Sequence, residues 1–229
     1  MPIATYKDLC IDAVDPAAQG AFWGPLLGWR AETMDNGDCC LREAGDQSRV
    51  QVWINGVPEP LAGKNRLHLD INAHSVQAVV DAGGTVIDDQ SFSWTVMRDP
   101  DGQLFCVFVR DRSTPVGPYE LAWDVTGGVQ DCRSLATWWA ELLGGELTHE
   151  DDYSWIGRVP RSPFQAMTFA PVPEPKTVKN RIHIDVLVDD LDALMAAGAT
   201  RLRIKGDGGI GWHVMADPAG NEFCAFTRD

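Results

Sequence analysis

Apolar and polar residues alternate along several short stretches of the chain, a pattern typical of half-buried β-strands. Strands are predicted at residues 8–14, 49–54 and 66–72. Residues 96–109 form a predicted hairpin whose turn is D-P-D-G at 99–102, because proline presets one turn dihedral and glycine tolerates a positive φ. The first half of the chain is therefore rich in short strands.

Helices interrupt these strands at regular places. Asp15 predicts an N-cap, Pro16 occupies the first helical position, and Gly28 ends the helix. A second, shorter helix is predicted at 75–82, and the second half repeats the pattern with helices at 132–143 and 190–197. Within each half of the chain, the predicted order is a strand, a helix and several strands, and this order then occurs a second time.

The chain also repeats its own sequence. K-N-R-L-H-L-D at 64–70 recurs as K-N-R-I-H-I-D at 179–185, and V-P-E-P at 57–60 recurs at 172–175. The hairpin D-P-D-G-Q-L-F-C-V-F-V-R-D, which begins at Asp99, recurs as D-P-A-G-N-E-F-C-A-F-T-R-D from Asp217. These ordered identities predict a tandem duplication with units at 1–113 and 118–229, joined by a proline- and glycine-containing linker.

A strand, a helix that ends in F-W-x-x-L-L-G, a strand that begins at H-[LI]-D and a terminal D-P-x-G hairpin resemble the glyoxalase, bleomycin-resistance and ring-cleaving dioxygenase superfamily, also called vicinal oxygen chelate. The V-P-E-P, K-N-R-x-H-x-D and F-C-x-F segments are similar to its bacterial glyoxalase-like domain branch. The resemblance implies an α+β fold of two tandem glyoxalase-like domains. Each domain would contain two βαβββ modules that form a half-open barrel around one pocket.

Composition narrows the class of partner. Hydrophobic residues make up 45% of the chain and charged residues 23%, a globular balance. The formal charge of −14 disfavours nucleic acid and anionic membranes as partners. The first residues lack the basic and apolar regions of a signal peptide, and six cysteines are expected as reduced thiols. We expect a cytoplasmic protein, monomeric or homodimeric, whose partner is a small molecule.

Metal-dependent members of the superfamily place ligands on the first and last strands of each module. The matching positions are Asp8, Gln51, His68 and Cys106 in the first unit, and Glu120, Ala166, His183 and Cys224 in the second. The family more often has histidine at the first of these positions and glutamate at the last. Here the last is cysteine in both units, and Ala166 stands at the place of Gln51, so we predict no stoichiometric metal and no other cofactor. Zinc is the alternative, held by His68, Cys106 and Asp8 or by His183, Cys224 and Glu120.

Strand parity gives a candidate site from the residues alone. Arg66, His68 and Asp70 share one strand face, and Arg181, His183 and Asp185 repeat it. A polar stripe within a sheet is costly unless its members satisfy one another or meet a ligand. Three interpretations stay open: a structural Arg–Asp pair beside a hydrogen-bonded histidine, a metal site, or metal-free acid–base chemistry. In the acid–base interpretation, His68 or His183 transfers the proton, and the neighbouring Asp70 or Asp185 orients the imidazole.

Nine tryptophans are a high number for this length and bear on the ligand. Trp53, Trp94 and Trp212 are equally consistent with core and pocket positions, and as pocket walls they favour a planar or hydrophobic ligand. Cys106 and Cys224 would lie beside them. The glycine-rich segment 206–209 is predicted as a loop, at the pocket rim in one interpretation.

Two functions follow from the resemblance. One is a small-molecule lyase or isomerase of the glyoxalase type, with an unassigned substrate. The alternative is a non-catalytic protein that sequesters an aromatic or drug-like ligand, as bleomycin-resistance proteins do.

Overall fold

The computed structural model describes residues 2–227, and the side chain of Gln47 is outside that description. Met1, Arg228 and Asp229 of the predicted repeat units therefore lie outside the described residues. The four α-helices of the described range are α1 (Pro16–Leu27), α2 (Val76–Asp81), α3 (Val129–Leu143) and α4 (Leu191–Ala196). None of them combines the length and the apolarity needed to cross a bilayer.

Two eight-stranded mixed sheets carry the fold, which confirms the predicted fold class. The strands of the first half are β1 (Ala4–Ala13), β2 (Trp29–Thr33), β3 (Cys39–Glu43), β4 (Asp46–Gly56), β5 (Leu67–Ala73), β6 (Thr85–Asp88), β7 (Thr95–Arg98) and β8 (Leu104–Val109). Those of the second half are β9 (Gly117–Thr126), β10 (Glu146–His149), β11 (Ser154–Gly157), β12 (Ala166–Val172), β13 (Ile182–Val188), β14 (Thr200–Arg203), β15 (His213–Ala216) and β16 (Glu222–Thr227).

Each sheet takes one half of its strands from either repeat. Sheet A has the order β14-β15-β16-β13-β1-β4-β3-β2, and sheet B has the order β10-β11-β12-β9-β5-β8-β7-β6. The central pairs, β1 with β13 and β5 with β9, are antiparallel and join the repeats. The boundaries of the two units, 1–113 and 118–229, remain a prediction. The two modules of each unit lie in different sheets, whereas the resemblance implied that they share one half-open barrel. The extended segment after β4, which contains V-P-E-P, carries the chain from sheet A to sheet B.

Local signals place the helices as expected. The Asp15 carboxylate accepts a hydrogen bond from the Ala18 N–H at 3.0 Å, and Gly28 ends α1 with a φ of +70°. Ser75 and Asp190 cap α2 and α4 in the same way. α3 begins at Val129, before the predicted residue 132, because Asp131 accepts from the Gly128 N–H and stabilises an earlier first turn.

The apolar face of each central strand lies in the core. Leu67, Leu69 and Ile71 are buried on β5, and an aromatic group made by Phe22, Trp23 and Phe105 packs edge to face between α1 and β8. His68 and Asp70 project from the opposite face of β5, as strand parity predicts. The core is therefore on the helix side, and the polar stripe is left on the other side of the sheet.

The K-N-R segments connect the two repeats reciprocally. The Asn180 side-chain oxygen accepts from the Arg66 N–H at 2.8 Å, and the Asn65 oxygen accepts from the Arg181 N–H at 2.7 Å. All four residues are buried, with exposed fractions of 6% or less. These buried bonds fix β5 and β13 against each other at the centre of the molecule.

The two arginine side chains hold the V-P-E-P turns. Arg66 donates to the carbonyl oxygen of Glu174 at 2.8 Å and to that of Pro175 at 2.5 Å, while Arg181 donates to the carbonyl oxygen of Glu59. Each arginine thus fixes the turn of the other repeat. Their predicted contact with a ligand stays a prediction, whereas their contacts with the turns are structural.

Candidate functional site

A cavity of about 590 Å³ lies on the polar face of sheet A. His183, Asp185 and Cys224 line it from the two central strands of the second repeat, and its aromatic wall consists of Trp53, Trp212 and Phe226. Trp53 comes from β4 of the first repeat, so the cavity forms only because the repeats share this sheet. Five of the predicted site residues are brought together here.

His183 is the central polar group of the cavity. Its Nε2 lies 3.4 Å from the Cys224 Sγ and 3.6 Å from the Asp185 Oδ1. Among the described residues its Nδ1 is buried without a hydrogen-bond partner. Burial lowers the pKa of His183 below 6.5, and the Lys179 charge adds to this effect. The imidazole is therefore neutral at neutral pH and can accept a proton.

Asp185 differs from an ordinary carboxylate. It lies opposite Asp8 in the β1–β13 pair, and burial followed by the Asp8 charge raises the pKa of Asp185 well above its usual value. The Lys7 Nζ lies 2.6 Å from the Asp8 Oδ2 but 3.8 Å from the Asp185 Oδ2. The Cys10 thiol donates to the Asp185 Oδ2 at 3.5 Å. Two carboxylates so close favour retention of a proton, and Asp185 is the residue whose pKa is raised.

The equivalent histidine on sheet B, His68, has a carboxylate near each ring nitrogen. His68 Nδ1 lies 2.7 Å from Asp70, and its Nε2 lies 3.9 Å from Asp124, which also pairs with Lys64 at 2.6 Å. Burial opposes the charge, but the Asp70 and Asp124 carboxylates outweigh it and raise the pKa of His68 to about 10. His68 is therefore an imidazolium at neutral pH and fits the structural interpretation of the stripe.

The remaining predicted residues of sheet B lie around this pair. The Cys106 N–H donates to Asp70 at 2.8 Å. Glu120 accepts from the Thr168 hydroxyl at 2.6 Å, and burial together with Asp70 raises the pKa of Glu120 to about 7. Trp94 stacks on Phe92 with ring centres 4.9 Å apart, away from the cavity of sheet A.

The zinc alternatives combine residues from different sheets and are wrong in that form. Glu120 lies on β9 of sheet B, whereas His183 and Cys224 lie on sheet A, and Asp8 is likewise separated from His68 and Cys106. The reason is that the two modules of each repeat lie in different sheets, which separates the carboxylate of each predicted set from its histidine and cysteine. The groups that lie within 4.8 Å of one another are instead Cys10 with His183 and Asp185, and His68 with Asp70 and Cys106.

Neither cluster fits the hard divalent ion that the superfamily implies. On sheet B the His68 Nδ1 lies 2.7 Å from the Asp70 Oδ1, Asp70 also accepts from the Cys106 N–H at 2.8 Å, and the third donor is a soft cysteine sulfur. On sheet A the Lys7 ammonium binds Asp8, and the Gln51 amide donates to Glu43 at 2.8 Å, so these two family positions are engaged elsewhere. Burial raises the pKa of the Cys10 thiol, which leaves a soft, protonated donor.

Several cavity residues were missed by the sequence analysis. Lys7, Cys10 and Asp12 on β1, together with Lys179 and Arg203, line the cavity beside His183. Alternation along β1 was a signal for Cys10 and Asp12, which share the parity of Asp8, whereas Lys7 lies at an irregularity of the β1–β13 register. This alternation could be used only once β1 was known to pair with β13 of the other repeat as well as with β4 of its own.

Comparison with known proteins identifies the fold. A model of the glyoxalase-like domain matches residues 8–108 and again 123–226, and the chain belongs to this family. Glyoxalase I from Zea mays is structurally similar, with a TM-score of 0.63 at 15% identity over 97% of this chain and 92% of that one. A putative dioxygenase from Bacillus subtilis subsp. subtilis str. 168 has a TM-score of 0.57 at 13% identity over 99% and 86%. No curated protein matches the chain.

Proposed function

We propose that the protein is a lyase or isomerase that acts on a small molecule by proton transfer in the cavity of sheet A. The observation that carries this proposal is the neutral, buried His183, whose Nε2 faces Asp185 and Cys224 at the cavity floor. The same residue in the first repeat, His68, is charged and held by two carboxylates. The second-repeat histidine is therefore the working one.

The chemistry follows from the protonation states. A neutral imidazole accepts a proton from a carbon acid, and a carboxylic acid that keeps its proton donates one to the substrate oxygen. His183 and Asp185 provide this combination 3.6 Å apart, and both residues are buried at the cavity floor. Return of the proton from His183 to a neighbouring carbon, while the enol oxygen gives its proton back to Asp185, completes an isomerisation. In a lyase reaction the enol expels a leaving group that takes the proton from His183, and the enol oxygen again returns its proton to Asp185.

A binding protein is the second candidate, and the aromatic wall favours it. Trp212 and Phe226 have ring centres 5.4 Å apart, and the Lys7 ammonium lies 4.3 Å from the centre of the Phe226 ring. Trp53 lines the same cavity. Such a wall would hold a planar ligand by stacking without any chemistry.

Tryptophan-fluorescence titration against a panel of aromatic and carbonyl compounds, followed by NMR of each bound compound in D₂O, separates the two functions. Exchange of a carbon-bound proton, or formation of product, is expected with the wild-type protein. His183→Gln should lower the rate at least about 100-fold, because it removes the base. His68→Gln is the matched control and should keep most of the rate, provided that circular dichroism shows it folded. Tight binding with neither exchange nor product would support the binding protein instead.

A further inference from the structure

A row of paired residues crosses the floor of the cavity and ends on an arginine. Asp8 lies opposite Asp185, Asp185 opposite Cys224, Cys224 opposite Val214, and Val214 opposite Arg203. Residues in register across strands project from the same sheet face. Arg203, at the sheet edge, is therefore aligned with the polar groups of the site.

The corresponding row of sheet B ends with the opposite charge. In this row Glu120 lies opposite Asp70, and Asp70 accepts from the Cys106 N–H. Cys106 lies opposite Val96, and Val96 lies opposite Asp88. Asp88 and Arg203 thus occupy the same place in the two repeats. The repeats keep the cysteine and the valine of the row but reverse the charge at its end.

The surroundings of Arg203 hold its guanidinium at the rim of the cavity. Its Nε donates to the Asp207 carboxylate at 3.0 Å, which engages one of the five N–H donors of the group. A side chain at Gly208 would collide with the Arg203 Nη2, so the loop backbone lies directly against the guanidinium. Arg203 lines both the cavity and a surface groove of about 520 Å³ formed by residues 201–207.

The charge around this groove is unusual for the molecule. The chain carries a formal charge of −14, yet Arg201, Arg203 and Lys205 all line the groove. Two of the carboxylates that line the cavity have cations, since Asp12 Oδ2 lies 2.5 Å from Lys179 Nζ and Glu222 Oε1 lies 2.8 Å from Lys176 Nζ. A third, Asp38, accepts from the Gly56 N–H at 2.8 Å. The cavity is therefore open to an anionic group on the side of Arg203.

We infer that the ligand of the sheet A cavity carries a carboxylate or a phosphate, and that Arg203 binds this group and determines specificity for it. The apolar body of the ligand would lie beside Trp53 and Trp212, which line the same cavity. A guanidinium suits both anions because its planar fork forms paired hydrogen bonds with their oxygens. The inference uses the cavity of the proposed function but does not require turnover.

Isothermal titration calorimetry with 2-naphthoate, 2-naphthyl phosphate and neutral 2-naphthamide tests it. At least one anionic probe should bind the wild-type protein about tenfold or more tightly than the amide does. Arg203→Gln should abolish that preference while leaving the amide affinity within about twofold. The stronger of the two anions identifies the group that the site accepts.

Asp88→Asn, the equivalent position on sheet B, is the matched control and should bind all three probes as the wild type does. Equal binding of acid and amide, no binding of either anion, or an unchanged preference in Arg203→Gln would overturn the inference. Failure of the proposed function gives a different result, since anion preference would persist while the NMR assay showed no exchange.

Discussion

His68 and His183 show how the same short motif produces two protonation states. Both follow K-N-R and precede an aspartate two residues later. His68 Nδ1 is 2.7 Å from its aspartate, whereas the His183 Nε2 lies 3.4 Å from the Cys224 thiol and 3.6 Å from Asp185. A strong contact with a carboxylate stabilises the imidazolium, and a contact with a thiol in a buried site does not.

The raised pKa of His68 makes the stability of the protein depend on pH. Because His68 is protonated in the folded state up to about pH 10 but only to about 6.5 when unfolded, its contribution is fully present below pH 6.5. That contribution is lost as the pH rises toward 10, at roughly 1.4 kcal/mol for each pH unit. Urea unfolding of the wild type and of His68→Gln from pH 6 to 10 measures it.

The difference in unfolding free energy between these two proteins should shrink as the pH rises. A constant difference across the range would show that His68 is not charged in the folded state. His183→Gln is the comparison, because the lowered pKa of His183 gives the opposite dependence. Its neutral state in the fold costs stability only as the pH falls through 6.5 and below.

Metal content is tested at the same residues. Elemental analysis of protein purified without chelator or added metal is expected to show no stoichiometric metal, because Asp8 is bound by Lys7 and the His68 Nδ1 is engaged by Asp70 at 2.7 Å. About one zinc ion per chain, lost in Cys10→Ser and kept in Cys106→Ser, would contradict this prediction. That result would assign the ion to Cys10, His183 and Asp185.

Sequence reasoning located the stripe but not its partners. Strand parity correctly placed His68 and Asp70 on one face, because alternate side chains of a strand point to the same side whatever the strand pairs with. Lys7 and Cys10 were missed because they meet Asp185 only through the pairing of β1 with β13. Nothing in a single strand specifies which distant strand it will pair with, so the composition of the site could not be predicted.

At the scale of elements, capping residues were informative and loop contacts were not. Asp15, Pro16 and Gly28 predicted α1 correctly because each acts on its own backbone. The prolines of V-P-E-P favour a rigid turn, but the arginine that holds each turn comes from the other repeat. The role of the K-N-R segment as a connection therefore emerges only in three dimensions.

Loss of this connection should be costly. Asn180→Ala removes the acceptor for the buried Arg66 N–H, and an unsatisfied buried donor costs about 1–3 kcal/mol. Chemical denaturation should show that loss, with a similar value for Asn65→Ala. Arg158→Ala is the control: its side chain is 80% exposed in its pair with Glu146, so stability should change by less than about 0.5 kcal/mol. Equal, small changes in all three variants would contradict the structural role of K-N-R.

At the scale of the whole molecule, the exchange of modules predicts that neither repeat folds as a monomer by itself. A fragment of residues 1–113 has β1 without β13 and β5 without β9, which leaves two sheet edges unpaired. Expressed separately, 1–113 and 118–229 should be unfolded or self-associated. Expressed together, they should form a one-to-one complex with the circular dichroism spectrum of the intact chain. A monomeric fragment with its own cooperative unfolding transition would contradict the prediction.

The shared sheets also bear on how the two sites came to differ. Two separate copies of a single repeat, assembled around a twofold axis, would have identical cavities, because every substitution would occur in both. Joining the copies in one chain removes that constraint. Arginine at 203 and aspartate at 88 can then coexist, as can a neutral and a charged histidine. Covalent linkage thus permits symmetry breaking, in which sheet A and sheet B differ in the charge of their histidine and of the residue at the end of the row.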